Sequence, residues 1–292
     1  MKKFRIAIVF FCVLSIAFHY GYRFVKVIFE DNSYPQITTT SQTIYVSIND
    51  PEEKLLEGVT AFDNKDGDVT DSLIVEKLSE FDSENKRKIT YAAFDSDNHV
   101  SRAEAYLVYN DYVGPRFSLS APLVYSVGTN TKFIENFTCT DSIDGDITHK
   151  IKVKYNEDEA YTALYYEGIF DITLTATNSC GDTASLTTYV EVKKKDYNNI
   201  VYIPNIILSD YIAYVDVGAE FNARDYLSGL IVGKNEYEFV NGSSSEANTL
   251  SKQRVNIDSD VDTSIAGQYS VRYTYTTNDG YKGSTELIVI VQ

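Results

Sequence analysis

The stretch GIFDITLTATNSCGDTASLTTYVEV, Gly168 to Val192, decides how this chain folds. Phe170, Ile172, Leu174 and Ala176 fall on one side of an extended backbone, and Asp171, Thr173, Thr175 and Thr177 on the other. Strict period two predicts a strand with one buried and one wet face. The turn residues NSCGD then reverse the chain into a second alternating run, so the segment predicts an antiparallel β-hairpin.

The same segment recurs twice. GQYSVRYTYTTNDGYKGSTELIVIV, from Gly267, aligns without gaps, matching Gly168 to Gly267, Gly181 to Gly280 and Val192 to Val291. KITYAAFDSDNHVSRAEAYLVY, from Lys88, places Ile89 on Ile172, Ala93 on Ala176, Asp95 on Asn178 and Leu107 on Val190. A proline opens each unit, in YPQI at Tyr34, GPRF at Gly114 and IPNI at Ile203. Internal repetition of this kind divides the chain into three modules, 31–111, 112–196 and 197–292. Modules of roughly 80–100 residues with several short strands and no long βαβ alternation predict an all-β fold of tandem β-sandwiches.

Composition agrees. The 292 residues are 43% hydrophobic and 23% charged, with 24 tyrosines, five prolines and no tryptophan. Long runs of Thr, Val, Ile and Tyr favour strands. A formal net charge of −16 excludes a nucleic-acid binder, which needs a basic face to release counterions. It suits a soluble surface that repels its own kind or collects cations.

Residues 1–30 read differently. Lys2, Lys3 and Arg5 precede an apolar run from Ile6 to Tyr22, after which Arg23 and Lys26 interrupt. No small-x-small cleavage site follows, and the run reaches the lower end of the ~17–25 residues a spanning helix needs. The excess of basic residues before the run predicts an N-terminus inside and the modules outside the cytoplasm. A signal-anchor transmembrane helix is the expectation, with a cleaved signal peptide as its alternative. Cys12 lacks the small residues of a lipoprotein signal and Gln292 ends no wall-sorting motif, so this helix is the expected attachment to the cell membrane.

Two acidic clusters carry the remaining signal: AFDNKDGDVTDSL from Ala61 and CTDSIDGDITHKI from Cys139. In a sandwich each lies just after the second strand, at the end that also carries the later turns DSDN (from Asp95) and NSCG (from Asn178). Asp63, Asp66, Asp68, Asp95 and Asp97 would then converge in module one, and Asp141, Asp144 and Asp146 beside Asn178 in module two. Closely spaced carboxylates around a Gly turn are calcium chemistry, and calcium is the one cofactor to consider. Turn chemistry is the simpler reading: Asp accepts from backbone N–H groups two residues on, and Gly67 and Gly145 supply positive φ. The full calcium-hand spacing with its terminal Glu is missing. A glycosidase needs two carboxyls facing across a cleft, which turn residues on a small sandwich do not offer.

These residues resemble the bacterial immunoglobulin-like modules strung along surface proteins, close to the hyaline-repeat type. The matching pieces are AFDNKDGDVTDSL with ITYAAFDSDN, CTDSIDGDITHKI with ITLTATNSCGD, and VDTSIAGQYSVRYTYTTNDG in module three. The resemblance covers nearly all of the chain after residue 34. It implies immunoglobulin-like spacers, stalks or adhesive units rather than catalysts. Module three departs from it, with NARDYLSGLIVGKNEY from Asn222 in place of the acidic cluster and a polar loop NGSSSEANTLSKQ from Asn241.

Cys139 and Cys180 belong at one end of module two, and outside the cytoplasm neighbouring thiols oxidise. A disulfide there would close a loop of about 40 residues and contribute roughly 3–4 kcal/mol. The alternative is two small buried hydrophobes. His19, His99 and His149 form no triad with a nucleophile. Tyrosine clusters such as YTALYYEG and VRYTYTTNDGY alternate with Thr and Ser, as sheet positions with buried rings do. The run VKKKD from Val192 reads as a solvated linker between modules.

The expected function is therefore non-enzymatic: a membrane-anchored extracellular stalk of sandwiches in series, serving adhesion, display or envelope structure. The alternative is a surface protein that binds a glycan or protein through module three as its tip.

Overall fold

The computed structural model describes residues 2–29, 33–128, 132–155, 166–194, 202–242 and 246–292. The fold is mostly β, with one long helix, α1 (Lys2–Phe29), at the N-terminus. The chain forms two compact units, Met1–Tyr112 and Val113–Gln292. The second holds two sandwiches. Parts of YTALYYEG, VKKKD and NGSSSEANTLSKQ, and the module joins at 30–31 and 196–197, lie outside the described residues.

Module one contains β1 (Gln36–Thr39), β2 (Thr43–Val46), β3 (Val59–Asp63), β4 (Gly67–Asp68), β5 (Ile74–Phe81), β6 (Arg87–Phe94) and β7 (Val100–Tyr109). One sheet runs β1-β3-β4 and the other β2-β7-β6-β5. The opening segment thus switches sheets: β1 pairs antiparallel with β3, and β2 runs parallel to β7. Val59, Ala61, Ile89, Tyr91, Ala93 and Leu107 fill the space between the sheets, all buried.

Module two repeats the plan with β8 (Arg116–Leu119), β9 (Val124–Ser126), β10 (Phe137–Asp141), β11 (Gly145–Asp146), β12 (Lys152–Tyr155), β13 (Gly168–Thr177) and β14 (Thr183–Lys193). Its sheets are β8-β10-β11 and β12-β13-β14-β9, with β9 parallel to β14. The hairpin β13–β14 pairs from Gly168↔Val192 to Thr177↔Thr183. Ile172, Leu174 and Ala176 are buried as the alternation requires.

Module three is built from β15 (Asn205–Leu208), β16 (Ile212–Val215), β17 (Leu227–Val232), β18 (Asn235–Val240), β19 (Thr249–Ser251), β20 (Asn256–Ser259), β21 (Gly267–Thr276) and β22 (Lys282–Val291). The sheets are β15-β17-β18-β19 and β16-β22-β21-β20. Where modules one and two make a tight turn into a two-residue strand, module three extends a full hairpin, β17–β18. In modules one and three a buried tyrosine reaches the 3-10 turn that precedes β3 and β17, respectively. Tyr91 donates to the Leu55 carbonyl and Tyr273 to that of Ala223, both at 2.7 Å. Module two has Leu174 at this position.

Modules two and three share one continuous hydrophobic core, and their contacts run along strands. The Phe117 N–H donates to the Tyr214 hydroxyl at 2.8 Å, and the Tyr211 N–H to the Leu119 carbonyl at 3.1 Å. Midway along β14, the Thr187 carbonyl accepts from Gln268 at 2.7 Å, and the Tyr189 hydroxyl donates to Glu286. This corrects the expectation of sandwiches in series: the outer face of β13–β14 meets the outer face of β21–β22. The polar residues that alternation assigns to solvent here meet a second module.

Candidate functional site

The acidic cluster of module one begins where β3 ends. Asp63 is fully buried, and its Oδ1 accepts from the backbone N–H groups of Lys65 at 2.7 Å and Asp66 at 3.1 Å. The Ser33 hydroxyl donates to its Oδ2 at 3.1 Å. The Asp66 N–H bond is the main reason the Asp63 carboxyl titrates below its ordinary range. Gly67, at φ +77°, then turns the chain into β4, a conformation that favours glycine.

Each later residue of the motif also has a protein partner. Asp66 reaches the turn between β6 and β7, accepting from the Ser96 N–H and hydroxyl, each at 2.8 Å. Asp68 accepts from the Thr70 N–H at 2.9 Å, and Thr70 Oγ1 accepts from the Ala61 N–H at 3.1 Å, which closes the loop on its own strand. Asp97 pairs with the Lys65 ammonium. Asp95 accepts from the His99 N–H at 2.8 Å, with His99 Nδ1 at 2.7 Å from its second oxygen. Burial pushes the Asp95 carboxyl up, but its His99 hydrogen bonds outweigh that and leave it lowered.

Module two reproduces the arrangement. Asp141 accepts from Ile143 and Asp144 N–H groups at 2.9 and 2.8 Å, and Asn178 Nδ2 donates to its other oxygen at 3.0 Å. Asp144 accepts from the Ser179 N–H at 2.7 Å and hydroxyl at 2.5 Å. Lys150 pairs with Asp144 at 2.8 Å, and this contact, with Ser179, holds the carboxyl down at about 2. Asp146 accepts from the Thr148 N–H at 2.9 Å, and Thr148 Oγ1 accepts from the Cys139 N–H at 3.0 Å. Gly145 takes φ +70°.

The cluster is thus a clasp that fastens two loops at one end of a sandwich. The structure brings the expected loops together, with their carboxylates engaged by protein donors. Among the described residues, no three His, Cys, Asp or Glu side chains are grouped as a metal would need. The carboxylate oxygens point at N–H, hydroxyl and ammonium donors, and calcium needs six to eight oxygens converging on one point. Ser96, Ser179, Thr70, Thr148 and Lys150 belong to the clasp and are not evident from the acidic pattern. Their signal is a Thr two residues after the second Asp of each Asp-Gly-Asp, and a Ser after Asp95 and after Asn178. In module three Asn222 caps the 3-10 turn 223–226, accepting from the Arg224 N–H at 3.2 Å. Arg224 then bonds the carbonyls of Lys252 and Val255, so a cation fastens that loop.

Cys139 and Cys180 are both buried and both free, so the expected disulfide is not formed. Cys139 points into the core from β10, and Cys180 is held in the turn, its N–H donating to Asn178 at 2.9 Å. Sharing one end of a sandwich does not supply the tight Cβ geometry a disulfide needs. Burial pushes the Cys139 thiol up to about 11, the opposite of a nucleophile. The Tyr91 and Tyr273 rings are fully buried, leaving no stacking face.

No family model matches the chain. The pesticidal crystal protein Cry22Aa of Bacillus thuringiensis is 32% identical over 157 residues, 53% of this chain and 18% of that protein. The chain therefore matches less than a fifth of that relative's length. Among solved structures, the M60 catalytic domain with CBM51-1 and CBM51-2 domains from Clostridium perfringens ZmpB aligns over 90% of this chain and 31% of its own, at 12% identity and TM-score 0.23. Mouse cadherin-23 EC22-24 aligns over 89% of this chain and 99% of its own, at 13% identity and TM-score 0.20. Scores at that level carry no argument about activity or ligand. The two-sheet sandwiches with a sheet-switching first strand define the class: tandem immunoglobulin-like β-sandwich modules behind an apolar helix.

Proposed function

We propose that this chain is a non-enzymatic bacterial surface protein, anchored in the cell membrane by α1 and presenting its modules outside the cytoplasm for adhesion or envelope structure. The modules are read as the hyaline-repeat-like type of bacterial surface repeat.

The observation that carries the proposal is α1. Its window Ile8–Val25 has a mean hydropathy of 1.6, and none of it is buried against protein. An eighteen-residue window this apolar on average, with no protein packed against it, calls for lipid, or for removal as a signal sequence. The clasps support a structural role for the acidic motifs, since their carboxylates are spent on holding loops. The net charge of −16 favours separation between neighbouring copies. The Bacillus thuringiensis relative supports a bacterial origin.

The test is fractionation of bacterial cells expressing the full chain. Retention in the membrane after alkaline carbonate washing, with the modules cut by protease added to intact cells, is the expected result. Release into the medium with a new N-terminus beyond the apolar run would make α1 a signal sequence. Protease resistance in intact cells with full sensitivity after lysis would overturn the surface assignment.

A further inference from the structure

Between modules two and three lies a cleft of about 550 Å³. That volume is in the range of small-molecule sites, which favour domain interfaces. One wall is the outer face of β13–β14, with Asp171 and Tyr189; the other is the outer face of β21–β22, with Gln268, Arg272 and Glu286. Leu123, Val124 and Ile288 add an apolar strip.

The polar groups of this cleft are not all used by the protein. Arg272 stands directly across the β21–β22 ladder from Glu286, yet its guanidinium makes no hydrogen bond or ion pair among the described residues. Glu286 is instead the acceptor of the Tyr189 hydroxyl from the facing module. The Asp171 side chain, exposed on the opposite wall, likewise has no hydrogen-bonding partner for its carboxylate among the described residues. Gln268 gives its amide N–H to Thr187, which leaves its amide oxygen as an acceptor. The Thr285 hydroxyl in the wall is buried near that of Tyr211 without reaching hydrogen-bond geometry. A cleft left with a five-donor guanidinium, an acceptor-only carboxylate and an amide oxygen is complementary to a ligand whose groups both donate and accept.

We propose that this cleft binds a neutral saccharide of mono- or disaccharide size. Each sugar hydroxyl donates to Asp171 or the Gln268 oxygen while accepting from Arg272, and the C–H face of a ring covers Val124 and Ile288. Four carboxylates line the cleft (Asp171, Glu191, Asp260, Glu286) against two cations, Lys193 and Arg272, and Lys193 already pairs with Glu191 at 2.8 Å. That balance disfavours an acidic sugar, while Arg272 disfavours a cation. The recognition surface is then the junction of two modules rather than the tip of module three, and its broadside packing is what creates it. The site is independent of how the chain is attached to the cell.

The test is calorimetric titration of the full chain, in a detergent without a sugar headgroup, with cellobiose, maltose, lactose and diacetylchitobiose, and with sialyllactose as the acidic comparison. At least one neutral sugar is expected to bind with Kd below about 1 mM. Arg272→Ala and Asp171→Ala should each weaken it about tenfold or more, because each removes a charge-assisted hydrogen bond. Both side chains are exposed on strand faces, and an unchanged melting temperature will confirm that the variants fold. The proposal is overturned if no neutral sugar binds at about 10 mM, if binding survives both substitutions, or if sialyllactose binds better.

Discussion

Asp66 accepts two hydrogen bonds from Ser96, both at 2.8 Å, and Asp144 stands in the same relation to Ser179 in the next module. One carboxylate therefore joins the β3–β4 turn to the β6–β7 turn in module one, and the β10–β11 turn to the β13–β14 turn in module two. The two sheets, already joined by core packing and by the segment that passes from β1 to β2, are thereby fastened at one end as well.

Asp144→Ala removes the acceptor of Ser179 and Lys150 together and should destabilise the unit formed by modules two and three by about 2 kcal/mol, lowering its melting temperature by several degrees. Asp66→Ala should act in the same direction and less strongly, because Asp66 is exposed. Excess calcium should leave both melting temperatures where they are, since its oxygens are already taken. A calcium-dependent rise that vanishes in either variant would show the clasp opening to take a cation.

The clasp also sets a pH dependence. The Asp144 carboxyl is lowered from 3.8 to about 2 in the folded chain, so the unfolded state binds the proton more readily. Stability from this group is complete above the unfolded value and disappears as pH falls through the folded one. Asp63, Asp68 and Asp146 are lowered too, chiefly by the Asp66 N–H for the first and by threonine hydroxyls for the others. The urea midpoint should be flat near neutrality and fall between about pH 4 and pH 2. Asp144→Asn should flatten part of that slope; an identical slope in the variant would remove Asp144 from the account.

Much of this was legible in the residues, and what was not has a physical cause. Period two in 168–177 and 267–276 assigns the buried faces because a sheet with one wet side admits no other placement. Asp-Gly-Asp is legible as turn chemistry because its bonds are local, from Asp63 to the N–H groups two and three residues on. The Ser96 and Ser179 partners are not legible, since they depend on which loops the sandwich brings together. The free state of Cys139 and Cys180 was hidden for the same reason: a shared loop end does not specify bond geometry. The face-to-face packing of modules two and three escaped because Thr187, Tyr189, Gln268 and Glu286 are polar and alternate as solvent-facing residues do.

Tyr91 and Tyr273 offer a matched pair of tests. Each ring is fully buried, and each hydroxyl donates to a carbonyl of the 3-10 turn preceding β3 or β17. Phenylalanine keeps the packing and removes only the bond, so Tyr91→Phe and Tyr273→Phe should each cost about 1–2 kcal/mol by denaturant unfolding. Burial pushes the Tyr91 hydroxyl up to about 12 and that of Tyr273 higher still. Both phenols stay protonated in the fold when unfolded ones ionise, so stability should decline above about pH 10. The phenylalanine variants should lose part of that decline.

The junction of modules two and three predicts how they unfold. The Phe117 N–H to Tyr214 hydroxyl bond, the Leu119–Tyr211 backbone bond at 3.1 Å and the shared core make two sandwiches one cooperative body. The Arg116 guanidinium, 4.9 Å from the centre of the Tyr214 ring, reinforces the same point. Calorimetry of the full chain should show modules two and three melting in a single transition. Tyr214→Ala removes the hydroxyl, the ring and the cation contact at once, and should split that transition into two while module one melts as before. A transition that stays single in the variant would mean that the shared apolar core alone couples the modules.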